Sequence, residues 1–461
     1  MFFRQHYLAC LSHASYLIGD EATGRAVVVD PQRDVDGYLE DAAAAGLRIE
    51  KVIETHFHAD FLSGHLELAA RTGAEICYGD GANADFPITL LADGQQIDLG
   101  EVMVEVRATP GHTPESISLV LYEHAADTIP YGVLTGDTLF IGDVGRPDLL
   151  SSDGATAEEL ARLLYRSLHR RLLTLPDETL VFPAHGSGSA CGKSLSTETF
   201  STLGEQRRTN YALAPMSEDE FVAVVTEGQP VAPAYFPFSA HRNRERHALL
   251  AEHEPPRLLD VEAVRAAQAE GAVVLDTRDA TDFAAGHLRR SLNVGLGGRF
   301  SEYAGDVIAP GQPIVLVCDP DHELEARVRL ARIGFDQVTG ALADPMRVFQ
   351  EHQELVDRSS RVTAGELESR RRELSRLVVL DVRNPGERAL GAIPGSVGIP
   401  LAALTQRLSE LDLRMPTVVY CAGGYRSSIA ASVLAAAGFA DVSDLLGGYA
   451  GWSALASSPA G

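Results

Sequence analysis

The chain reads as an α/β protein of several domains, on three observations. Apolar β-rich runs alternate with helical stretches through the first half. A residue pattern in the second half returns after 105 residues, Asp276 to Asp381. The length of 461 residues is that of about three domains, each able to bury its own core. The predicted boundaries are 1–253, 254–355 and 356–461.

Taken in order, residues 27–29 read as a strand, 35–45 as an Ala-rich helix stopped by Gly46, and 49–54 as a strand. Ser63 is predicted to cap a helix through 66–71 that Gly73 ends. Turns at Gly94, Gly100 and Gly111 separate later β runs, and 157–173 reads as another helix. Residues 194–253 hold helical and Pro-rich pieces without an evident chemical pattern.

The chemistry concentrates at strand ends. After the apolar run Val52-Ile53 comes Thr55-His56-Phe57-His58-Ala59-Asp60-Phe61. Alternate positions of an extended loop share a side, so His56, His58 and Asp60 are expected to face one way. Imidazoles crowded with a carboxylate point to a metal ion. Further donors follow later β runs: His112 in Thr109-Pro110-Gly111-His112, Asp137 in Leu134-Thr135-Gly136-Asp137, and His185 in Phe182-Pro183-Ala184-His185. The residues alone do not choose among these six donors.

In the second half, Val274-Leu275-Asp276-Thr277-Arg278 parallels Val379-Leu380-Asp381-Val382-Arg383, and Val315-Leu316-Val317-Cys318 parallels Val418-Val419-Tyr420-Cys421. Each copy reads as strand, loop, strand and helix, the pattern of a small domain with a parallel sheet. The later copy continues Cys421-Ala422-Gly423-Gly424-Tyr425-Arg426-Ser427. A cysteine at a strand end, followed by glycines that turn backbone N–H groups inward, builds an anion nest. A helix N-terminus from Ser427 onward and the charge of Arg426 would help lower the thiol pKa and hold an anion there. The earlier copy reads Cys318-Asp319-Pro320-Asp321-His322-Glu323-Leu324-Glu325. Its nest glycines are gone, Pro320 lacks an N–H, and four acidic residues repel anions, so it is expected to do no chemistry.

Composition sets limits. A net charge of −25 opposes binding to nucleic acid or anionic membranes. No apolar run is long enough to span a bilayer, and the N-terminus lacks the form of a signal peptide. Five cysteines, odd in number and scattered, suggest free thiols in a reducing cytoplasm.

The six donors in their order closely resemble the metallo-β-lactamase superfamily, which implies an αββα sandwich for the first half. Phe61 stands where dinuclear members have a histidine, which favours one metal. Two histidines and one carboxylate form the facial arrangement that leaves positions open on Fe(II). Within the superfamily the chain resembles the persulfide dioxygenases, and the resemblance puts the ligands at His56, His112 and Asp137. His58, Asp60 and His185 then become supporting groups or an alternative metal set. It implies one Fe(II) per chain, with zinc as the alternative. Arg207 or Arg208, in Glu205-Gln206-Arg207-Arg208-Thr209-Asn210, could pair with a substrate carboxylate.

The second half resembles rhodaneses, a degenerate copy followed by an active one, which implies two α/β domains with parallel sheets. Cys421 and Arg426 are its expected catalytic groups, and Ala422, Gly423, Gly424, Tyr425 and Ser427 its persulfide-anion loop. Fused dioxygenase–rhodaneses carry a cysteine similar to Cys191, a candidate sulfur relay that Lys193 could hold as thiolate. The expected partners are a low-molecular-weight thiol persulfide, O2 and sulfite or thiosulfate. Family resemblance also implies a homo-oligomer. Two other readings stay open: a glyoxalase-like zinc hydrolase of thioesters, and a non-catalytic sulfur carrier or persulfide sensor.

Overall fold

A computed structural model describes residues 1–149 and 154–457. The chain divides into two compact units: residues 1–230 with 236–250, and residues 231–235 with 251–461. Both repeats fall within the second unit.

In the first unit two six-stranded sheets lie face to face. Side-chain alternation along each strand explains the layering. Tyr16, Ile18, Val27 and Val29 join Leu119, Leu121, Leu134 and Phe182 in the core between the sheets. The intervening Leu17, Ala26 and Val28 pack outward against Val35, Tyr38 and Leu68. On the far side, Val120 and Val133 meet Leu160's neighbours Ala161 and Leu164, with Phe221. Helices Asp36–Ala44 and His65–Thr72 cover one sheet, and Ala157–Ser167 and Glu218–Thr226 the other. This is the αββα sandwich.

Two local expectations need correction. Ser63 does not cap the helix His65–Thr72, whose N-cap is Gly64; its hydroxyl donates instead to the Pro31 carbonyl at 3.1 Å and to the Glu54 carboxylate. The helix expected to run to 173 is α-helical only over Ala157–Ser167 and continues as a π-turn, Leu168–Leu172. The Thr156–Glu159 capping box starts it as a helix N-terminus should.

In the second unit each repeat forms a five-stranded, wholly parallel sheet. Strands Val273–Asp276 and Ile314–Val317 of the first copy correspond to Val378–Asp381 and Thr417–Tyr420 of the second. In both, the buried aspartate at the strand end holds the arginine two residues on: Asp276 with Arg278 at 2.6 Å, Asp381 with Arg383 at 2.8 Å. No helix among the described residues is long and apolar enough to cross a membrane.

Candidate metal centre and sulfur-transfer loop

Each donor follows a strand, as expected: His56 after Arg48–Ile53, His112 after Met103–Ala108, Asp137 after Gly132–Gly136, and His185 after Leu180–Pro183. The six do not form one cluster. His56, His112 and Asp137 converge; Asp60 and His185 gather with Cys191; His58 sits with Asp30 and Glu54. The alternation argument therefore fails over residues 56–60. These residues form no regular strand, so successive side chains owe nothing to a period of two.

The converging triad is fixed from behind. The Thr55 hydroxyl lies 2.9 Å from His56 Nδ1, and His112 Nδ1 donates to the Arg146 carbonyl at 2.9 Å. Both Nε2 atoms then face Asp137 Oδ2, at 3.9 Å from His56 and 3.5 Å from His112. His185 Nδ1 donates to the other carboxylate oxygen, Asp137 Oδ1, at 2.8 Å. All four side chains are buried. His56 Nε2 and Asp137 Oδ2 have no hydrogen-bond partner among the described residues. Buried polar atoms are rarely left so, and a bound cation satisfies both at once. Burial and the neighbouring His58 hold His56 well below the usual imidazole range, as a neutral ligand. Burial pushes the Asp137 carboxyl up, yet His185, His112 and His56 together hold it well below its ordinary value. Two buried imidazoles and a carboxylate aimed at one point fit a divalent metal.

The other donors lie in buried ion-pair contacts. His58 Nε2 lies 3.1 Å from Asp30 and 3.3 Å from Glu54. Its Nε2 faces these two carboxylates, while its ring packs against that of His56 with centroids 4.1 Å apart. His185 spends Nδ1 on Asp137, and its Nε2 lies 2.7 Å from Asp60 Oδ2. That approach makes no hydrogen bond among the described residues, and His185 forms with Asp60 and Cys191 a second buried group of donors, apart from the triad. Phe61 is buried, its ring 4.0 Å from that of His13 and 4.3 Å from that of His58, and fills the space with hydrocarbon.

Gly145 passes so close that a Cβ there would meet the Asp137 carbonyl oxygen at 1.9 Å, so only glycine fits beneath the site. Sequence reasoning missed Asn243, in the stretch without a chemical pattern. Its amide donates to the carbonyls of His58 and Phe61, both at 2.8 Å, and receives the Ser63 N–H at 2.9 Å, pinning the ligand loop. A cavity of about 580 Å³ is walled by Phe57, Pro114, Glu115 and Arg244, neighbours in sequence of His56, His112 and Asn243.

Three candidate side chains have partners of their own. Arg207 donates to Asp177 at 2.6 Å and to the carbonyls of Leu173 and Leu175, which ties two loops together. Arg208 is exposed and pairs with Glu205. Neither arginine lines the cavity walled by Phe57 and Pro114. Lys193 donates to the carbonyls of Val224 and Glu227, so it is not available to Cys191. Burial, with Asp60 and Asp137 nearby, pushes the Cys191 thiol well above its usual range.

In the later repeat the loop expected to hold sulfur is formed. Cys421 ends the strand Thr417–Tyr420, and the Gly424 N–H donates to its Sγ at 3.1 Å. The Ser427 hydroxyl lies 3.6 Å from the same sulfur. The following helix spans Tyr425–Ala436 and begins two residues earlier than expected. Arg426 is not a bare charge: both its terminal nitrogens donate to Glu387 at 2.7 Å. Glu387 escaped the motif reading because it is distant in sequence.

The earlier copy lacks this arrangement. Asp321, three residues after Cys318 as Gly424 is after Cys421, is forced to φ +68°, where Gly424 holds φ +121°. Glu323 stands where Arg426 stands, reversing the charge. Burial, followed by Glu323, Asp276 and Asp319, pushes the Cys318 thiol up to about 12.

Residues 8–185 match the metallo-beta-lactamase superfamily, and residues 260–343 and 363–455 each match the rhodanese-like domain. The chain is 33% identical over 237 residues to persulfide dioxygenase ETHE1 of Bos taurus, spanning 50% of this chain and 82% of that protein. It is 32% identical to the Homo sapiens persulfide dioxygenase ETHE1, over 50% of this chain and 82% of that protein. A crystal structure titled as a metallo-beta-lactamase from Staphylococcus aureus is 32% identical with a TM-score of 0.67, covering 74% of this chain and 99% of that one. Fold and site thus define a metallo-β-lactamase superfamily domain with a His-His-Asp metal site, followed by two rhodanese-like domains. More narrowly, the chain belongs to the persulfide dioxygenase family, in the form fused to rhodanese-like repeats.

Proposed function

We propose that the first unit is an iron-dependent persulfide dioxygenase and that the later repeat is a sulfurtransferase acting on the same sulfur. The observation that carries the reading is the convergence of buried His56, His112 and Asp137, with the Phe61 ring, which offers no donor, packed beside His58. That combination favours one metal with open positions over the zinc pair of a hydrolase.

Iron(II) held by the three ligands supplies the oxygen-activating redox chemistry. The protein's part is positioning. Thr55 and the Arg146 carbonyl fix both imidazoles, His185 fixes the carboxylate, and Phe61 keeps one flank dry. The cavity beside Phe57 and Pro114 gives room for the organic part of a thiol persulfide. The balanced reaction takes RSSH, O2 and H2O to RSH, sulfite and two protons.

In the later repeat, Cys421 attacks the outer sulfur of a second persulfide, breaking its S–S bond and releasing the thiol. Cys421 then carries the extra sulfur as a persulfide beside the Gly424 N–H and the Ser427 hydroxyl. Sulfite attacks that sulfur, thiosulfate leaves, and the Cys421 sulfur is restored. The reverse sequence is equally balanced.

The test is anaerobic purification, metal quantification and oxygen-electrode assay with glutathione, coenzyme A and cysteine persulfides. One iron per chain, with oxygen consumed and sulfite formed in equal amounts, is expected. Two zinc ions per chain and thioester cleavage without air would replace this reading with the hydrolase.

A further inference from the structure

Four consecutive residues of the degenerate copy, Gly295-Leu296-Gly297-Gly298, stand across a cleft from the Cys421 loop. The cleft has a volume of about 430 Å³ and is lined from the earlier copy by Gly295, Gly297 and Gly298, and from the later copy by Gly423, Gly424 and Tyr425. The carbonyls of the glycine-rich segment are held alternately from two sides. The Tyr425 hydroxyl reaches the carbonyls of Gly295 at 2.6 Å and Gly297 at 2.9 Å. Arg329 donates to the carbonyls of Leu296 and, at 2.7 Å, Gly298. Arg329 lies on the helix Glu323–Ala331, the one that follows the defunct Cys318 loop. The Tyr303 ring meets Tyr425 edge-on with centroids 5.3 Å apart. On the same cleft, Arg361 of the later copy donates to the Thr281 hydroxyl of the earlier one at 3.1 Å.

A segment with every carbonyl tied down is a rigid wall, and rigidity there has a use. A cleft of this volume falls within the range for small organic ligands, about 300–1,000 Å³. An inorganic sulfur oxyanion displaces only a few waters, at about 30 Å³ each. The walls also leave the space open: a Cβ on Gly297 or on Gly423 would meet nothing within 4 Å.

We propose that the degenerate copy is retained as the specificity wall of the sulfur-transfer site, with Gly295–Gly298 bounding the pocket for the organic part of the thiol persulfide that loads Cys421. Tyr425 is then a positioning residue, tying that wall to the loop that carries the reacting sulfur. The inference rests on the reading of Cys421 as the sulfur acceptor.

The test uses the full-length, iron-loaded enzyme with Gly297→Ala and Gly297→Phe, comparing kcat/KM for an organic persulfide with kcat/KM for thiosulfate as sulfur donor. The added side chain narrows the cleft without a clash in the wall itself. The expected result is a shift in the specificity ratio toward thiosulfate of about tenfold for Gly297→Phe, equivalent to about 1.4 kcal/mol, and a smaller shift for Gly297→Ala. Tyr425→Phe should raise KM for the organic persulfide more than it lowers kcat. An unaltered ratio in both glycine variants, with equal losses or none, overturns the specificity wall while leaving the sulfur-transfer reading intact. A wild-type chain that moves no sulfur from either donor to Cys421 overturns both.

Discussion

His185 Nδ1 donates to Asp137 Oδ1 at 2.8 Å, so the carboxylate turns its other oxygen toward the Nε2 atoms of His56 and His112. His185, at a position that ligates metal in the superfamily, thereby orients Asp137. His185→Ala should weaken iron binding by about 10–100-fold, the usual cost of losing a partner that orients a ligand. Competition with a chelator, read by metal analysis, measures this. Unchanged affinity would mean that Asp137 needs no such support.

His58 makes a contrasting case. Between Asp30 and Glu54 it neutralises two buried carboxylates and contributes no donor to the triad. Removing one partner of a buried charge group costs about 3–5 kcal/mol. His58→Ala is therefore expected to lower the urea midpoint strongly while the purified folded fraction keeps the wild-type iron ratio. Iron lost at unaltered stability would place His58 among the ligands.

The two reactions should separate. Cys421→Ser is expected to abolish thiosulfate formation while oxygen uptake and sulfite release continue. Arg426→Lys replaces a fork, bound to Glu387 through two 2.7 Å contacts, with a point charge. Loss of a charged hydrogen bond is worth about 1.5–3 kcal/mol, so thiosulfate turnover should fall by about 10–100-fold. Loss of sulfite production in either variant would contradict separate roles.

The Cys318 thiol gives a pH test. Its folded value, pushed up to about 12 chiefly by burial, lies above the unfolded value of about 8.5. The folded state therefore binds this proton more tightly. The associated stability is complete below about pH 8.5 and is lost progressively as pH rises toward about 12. Cys318→Ala should flatten the fall in urea midpoint between pH 8 and 11. The native thiol should also resist alkylation at neutral pH by mass spectrometry. Rapid labelling of Cys318 in the folded chain would count against this burial and protonation.

Much of this was legible in order of residues. The six donors at strand ends, Phe61 in place of a histidine, and the loss of glycine and arginine after Cys318 could all be read directly. What could not be read is where irregular backbone sends its side chains. His56, His58 and Asp60 were expected on one side of their loop and instead serve three separate clusters. Asn243 and Glu387 were invisible because no local pattern marks a residue whose partner is far along the chain.

By itself the sequence determined the chemistry available: which donors, which nucleophile, and which repeat had lost its nest. Tertiary structure alone decided which three donors meet, that His185 donates to Asp137, and that the earlier repeat stands across a cleft from the Cys421 loop. The physical reason is that residue type fixes what a group can bind, whereas long-range packing fixes what it can reach.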